Sequence, residues 1–89
     1  SLEELAECIP DPNTPEEALW AGELSQSFNA FLETEKELDR VLFVRRYFSC
    51  QSCEEMARDL GLSPGQVRTR LSRIRARLRK TLSTQDIFL

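Results

Sequence analysis

The sequence predicts an all-α fold, a small bundle of about four helices that ends in a helix-turn-helix. Three observations predict it. Val67, Leu71, Ile74 and Leu78 recur at steps of four, three and four, which places them on one face of a helix. A helix-start pattern, Ser or Thr followed three residues later by Glu or Gln, occurs at Thr14–Glu17, Thr34–Glu37, Ser52–Glu55 and Ser63–Gln66. In each, the hydroxyl can take a free amide of the first turn while the acid or amide side chain returns to the cap. Finally, β-branched alternation is absent and there are only 3 glycines, so no sheet or hairpin is signalled.

The 89 residues bound the chain to one small domain. A hydrophobic content of 40% with 30% charged residues suits a helical fold with a modest core. No apolar run reaches the length of a membrane span and no signal-peptide pattern is present, so a cytoplasmic protein without a membrane partner is expected. The 3 cysteines, an odd number without a secretion signal, are expected to be reduced thiols. Cys50 and Cys53 form a C-x-x-C, but there is no histidine and Cys8 is remote in sequence. No metal site and no cofactor are therefore expected, and Cys53 fits a small, partly buried residue at a helix start.

In chain order, residues 1–13 are expected to be a linker. Leu2, Leu5 and Ile9 could make a short apolar ridge, but the prolines at 10 and 12 disfavour helix there. Because the chain starts at Ser1 rather than Met, it is expected to be a piece of a longer protein. The folded domain is expected over 14–83, with 84–89 as a tail. Its first helix spans about Pro15 to Leu32, with Phe28 and Leu32 on one side and Trp20 and Phe31 widening it. The second spans about Glu35 to Phe48 and is apolar on two sides, Leu38, Val41, Leu42 and Phe48 on one and Phe43, Val44 and Tyr47 on the other. It is either buried all round or leaves a surface for a partner. The third, about Cys53 to Leu60, turns Met56, Ala57 and Leu60 inward. Gly61 ends it in a left-handed cap, and Ser63-Pro64 start the last helix at once. Helix, short glycine turn, helix is the helix-turn-helix arrangement.

The last helix carries the functional signal. Net charge is −3, but it is segregated: residues 1–62 hold fourteen acidic and five basic side chains, and residues 63–89 hold one acidic and seven basic. A chain polarised in this way can bind phosphate with one end and be oriented by repulsion at the other. Opposite the apolar seam, Thr69, Ser72, Arg73 and Ala76 point outward, with Arg68 on one flank and Gln66 on the other. Arginines with small hydroxyls on a helix of this width suit the DNA major groove. A solvated basic helix balanced by an acidic body is the plainer alternative. An enzyme is not expected, since there is no histidine, no phosphate-binding glycine loop and no acid pair with an evident pocket.

The run from Leu38 to Leu82, LDRVLFVRRYFSCQSCEEMARDLGLSPGQVRTRLSRIRARLRKTL, resembles region 4 of sigma-70-family bacterial RNA polymerase factors, of the extracytoplasmic-function type. The resemblance rests on VRRYF, on S-x-EE-M-A-x-x-L-G-L-S and on the closing V-R-T-R-L-S-R-I-R-x-R-L. It implies a winged-helix-like DNA-binding domain that recognises the promoter −35 element, docks on the β-flap of RNA polymerase and directs transcription initiation; an anti-sigma factor is a further implied partner. Carried over by position, the base-facing residues are Arg68, Thr69, Ser72 and Arg73, with Gln66 near the rim. Ser52 and Glu54 lie where the first helix of the motif meets the DNA backbone. Cys53 departs from the family, which often has an aromatic residue there. Arg75, Arg77, Arg79 and Lys80 are expected to position rather than read, some on phosphate (Arg75 among them) and some on the acidic helices. The polymerase surface is assigned to Phe43, Val44 and Tyr47. Nothing resembles region 2, so this chain alone is not expected to start transcription. The rival readings are another helix-turn-helix regulator of the LuxR kind and a module that only binds polymerase or an anti-sigma factor.

Overall fold

The structure is a computed structural model. It describes residues 4–5 and 22–84, and the side chains of 4–5 and 26–82. Among the described residues there are four helices and no strand: α1 (Gly22–Thr34), α2 (Glu37–Tyr47), α3 (Cys53–Leu60) and α4 (Pro64–Thr84). The Thr14–Glu17 start and the first part of the predicted first helix lie outside the described residues. No helix among them is long and apolar enough to cross a membrane.

The long last helix is the platform on which the fold is built. It packs against each of the other three. Its seam is fully enclosed: Val67, Ile74 and Leu78 are 0% exposed, Leu71 2% and Leu82 1%. Phe28, Phe31 and Leu32 of α1, Leu42, Phe43 and Tyr47 of α2, and Met56 and Ala57 of α3 complete one core cluster, together with Leu5 and Cys53. Phe43 lies at its aromatic centre. Its ring centroid is 6.1 Å from Phe28, 6.4 Å from Phe31 and 4.8 Å from Tyr47, all edge-on contacts. Edge-on aromatic pairs are worth about 0.5–1.5 kcal/mol beyond the area they bury.

Two of the predicted helix starts form reciprocal caps. The Ser52 hydroxyl accepts from the Glu55 amide at 3.1 Å, and the Glu55 carboxylate accepts from the Ser52 amide at 3.3 Å. Ser63 and Gln66 repeat the exchange at 3.1 and 2.8 Å. The Thr34–Glu37 box is not formed. The Thr34 hydroxyl donates back to the Phe31 carbonyl at 2.7 Å, which closes α1, and α2 begins after Lys36 without a side-chain cap.

The turn between α3 and α4 depends on Gly61, at φ 72°. There the amides of Gly61 and Leu62 both return to the Ala57 carbonyl. A methyl group at Gly61 would meet nothing within 4 Å, so only backbone strain opposes it. Gly61→Ala is therefore expected to cost about 1–2 kcal/mol. Gly65→Ala, whose new carbon lies 3.9 Å from Ser63 Oγ in an ordinary contact, is expected to be neutral or slightly stabilising. Denaturant melts of the two variants check the contrast.

Candidate nucleic-acid interface

With its seam buried, α4 turns one polar strip to solvent. Gln66, Arg68, Thr69, Ser72 and Arg73 are all exposed, and the helix brings them to one side. The reciprocal cap with Ser63 fixes the start of the helix, and hence the angle at which this strip leaves the turn. A groove of about 640 Å³ borders the strip. Lys36 from the α1–α2 junction lines it together with Gln66, Thr69, Arg70 and Arg73.

Carboxylates elsewhere in the fold sort the cations of α4. Arg70 Nη1 lies 2.9 Å from Asp39 Oδ1. Arg77 forks onto Glu35 at 2.6 Å and reaches Asp39 at 3.4 Å. Its hydrogen bond to Glu35 pushes its already high pKa further up, although burial opposes this. Asp39 is only 8% exposed, the sole buried charged residue among those described. Arg68, on the exposed strip, faces Glu54 at 3.5 Å. Arg73 and Lys80 have no carboxylate within ion-pair distance among the described residues, and seven positions apart they share a face two helical turns long.

Two sequence-based assignments require correction. Arg75, expected on the DNA backbone, turns instead to the protein: its Nη1 is 3.1 Å from Glu4 Oε2 and donates to the Tyr47 hydroxyl at 2.8 Å. Phe43 and Tyr47, expected on a partner surface, are buried at 0% and 4% exposure. They face α1 and α4, and the exposed apolar residues of this region are Val44 and Phe48, at 38% and 59%. Ser52 and Glu54 sit together at the start of α3, where Ser52 caps the helix and Glu54 engages Arg68. Both residues thus stand where the first helix of the motif begins, and it is the free amides of that helix start that suit phosphate.

Sequence reasoning did not identify Lys36 as a groove residue, nor Glu35 and Asp39 as the partners of Arg77. The acidic pair at i and i+4 was visible, but the arginine it meets is 42 and 38 positions away.

The segment comprising α2, α3 and most of α4 has a recognised counterpart. Residues 36–78 match the family model described as Sigma-70, region 4. No curated protein and no solved structure matches the chain. The region 4 match starts at the residue that lines the groove and ends in the α4 seam, so it contains the turn at Gly61 and every exposed residue of the strip. Region 4 of sigma-70 factors is a DNA-binding helix-turn-helix module of transcription, and the all-α architecture agrees with that match.

Proposed function

We propose that this domain, as part of a sigma factor of the extracytoplasmic-function type, places α4 in the major groove of the promoter −35 element while an apolar surface elsewhere on it docks on the polymerase β-flap. The observation that carries the reading is the exposed strip of Gln66, Arg68, Thr69, Ser72 and Arg73 on a helix whose opposite seam is closed. Arg73, with no carboxylate to displace among the described residues, is the leading base reader, and a bidentate arginine–guanine contact discriminates by about 1–3 kcal/mol. Arg68 reads beside it after leaving Glu54. Lys80, two turns further along the same face, meets phosphate. The docking role moves from Phe43 and Tyr47 to Val44 and Phe48, the apolar side chains this region leaves exposed.

A salt-dependent titration on duplexes carrying and lacking the preferred sequence tests this reading. Arg73→Ala is expected to lose selectivity, by about tenfold or more against the best competitor. Lys80→Ala is expected to weaken binding alike on all duplexes and to reduce the salt slope by about one. Equal loss of selectivity in both variants would refute the division of roles. Binding without salt dependence would leave the domain a protein-interaction module.

A further inference from the structure

On the flank of α4 that borders Arg68, one acidic side chain from far upstream is received by three donors. Glu4 Oε1 accepts from Arg46 Nη2 at 2.7 Å. Glu4 Oε2 accepts from the Tyr47 hydroxyl at 2.7 Å and from Arg75 Nη1 at 3.1 Å. Arg75 and Tyr47 are themselves joined at 2.8 Å, so two of the three receiving groups also hold one another. The next residue, Leu5, is 1% exposed and belongs to the core cluster. A small cleft of about 170 Å³ continues from Glu4 past Arg46 and Cys53 to Leu71.

We infer that Arg46, Tyr47 and Arg75 form a peptide-binding site for a glutamate followed by a leucine, occupied in this structure by the chain's own Glu4 and Leu5. The chemistry is specific on both counts. Arg46 Nη2 and Arg75 Nη1 bring two guanidiniums onto the two oxygens of one carboxylate, beside a phenol that donates to it, so the site suits an anion. The buried place of Leu5 in the core cluster calls for an apolar group in the next position. The titration behaviour agrees with this geometry. Burial pushes the Glu4 carboxyl up, but hydrogen bonds from Arg46 and Tyr47 and the charges of Arg46 and Arg75 outweigh it and hold the group below its usual value. The Tyr47 phenol is pushed well above its ordinary value, first by burial and then by its hydrogen bond to Glu4.

Because the occupant is part of the chain, the site binds an identical segment in trans only when the internal one is weakened. The test uses the full 89-residue chain as wild type, as Glu4→Gln and as the double variant Glu4→Gln with Leu5→Ala. The probe is a fluorescent synthetic peptide of residues 1–9, followed by anisotropy. The peptide is expected to bind the double variant at least tenfold more tightly than the wild type, and the same peptide carrying Glu4→Gln at least tenfold more weakly than the unaltered one. A second readout does not depend on Leu5. Tyr47 is the only tyrosine of the chain, so phenolate absorbance reports this site alone. Its titration is expected to shift to lower pH in Glu4→Gln and to return when the peptide is added. Equal peptide binding to wild type and double variant, or a Tyr47 titration unmoved by Glu4→Gln, overturns the inference. Neither readout involves DNA, so the inference stands or falls apart from the proposed promoter role.

Discussion

Phe43→Asp is expected to unfold the domain, whereas Phe48→Asp is expected to leave it folded. Phe43 has no exposed surface and touches aromatic rings from α1 and from its own helix. Truncating a buried phenylalanine to alanine costs about 3–5 kcal/mol. Aspartate adds the cost of a carboxylate in an apolar enclosure with no cation provided for it. Domains of this kind have about 5–15 kcal/mol in total, so a chain near the lower end is left with no folded majority. Phe48 is 59% exposed, and a polar substitution there is expected to change stability by no more than about 0.5 kcal/mol. Urea melts followed by circular dichroism check both. A cooperative wild-type-like melt for Phe43→Asp would contradict the packing. The contrast also selects the tool for testing polymerase docking: a loss of flap binding in Phe43→Asp reports unfolding, and only Val44→Asp and Phe48→Asp interrogate a surface.

Arg77→Met is expected to destabilise the domain by about 2–3 kcal/mol. Arg77 joins Glu35 and Asp39, whose side chains are only 9% and 10% exposed. Methionine keeps the length and the apolar stem of the side chain but leaves Glu35 without its fork and Asp39 with Arg70 alone. Removing one member of a buried ion pair costs about 3–5 kcal/mol. The expected figure lies at or below that range because the Arg77 side chain is 45% exposed and water already screens it. A double-mutant cycle with Glu35→Gln isolates the interaction: the double variant is expected to lose less than the sum of the singles. Strict additivity would show that Arg77 acts through packing and not through its charge.

These two predictions mark where the sequence was informative and where it was not. The α4 seam, the Gly61 turn and the caps at Ser52 and Ser63 were legible because each is local: a period, a left-handed position and side chains three residues apart decide them. The Thr34 cap was misjudged because the same hydroxyl had a second partner within reach, the Phe31 carbonyl one turn back. The orientation of α2 was not legible for a different reason. Its apolar residues cover more than one side, so periodicity alone could not show that Phe43 and Tyr47 face inward and Phe48 outward; that depends on where α1 and α4 pack. The fate of Arg75 was the least legible, because its partners Glu4 and Tyr47 are 71 and 28 positions away. The exposed strip itself follows from the wheel of α4, and its contacts with DNA rest on the region 4 match and on the proposed reading.

The ion pairs of α4 also carry a direction in time. Glu4, Glu35, Asp39 and Glu54 all precede the arginines they meet. During synthesis, which runs from the N-terminus, the acidic segments leave the ribosome first. The arginine-rich stretch therefore leaves the ribosome after the carboxylates it pairs with, and its counter-charges are within reach as soon as it is free to fold. The reverse order would deliver a naked polycation to the largest polyanion in the cell before its counter-charges had been made.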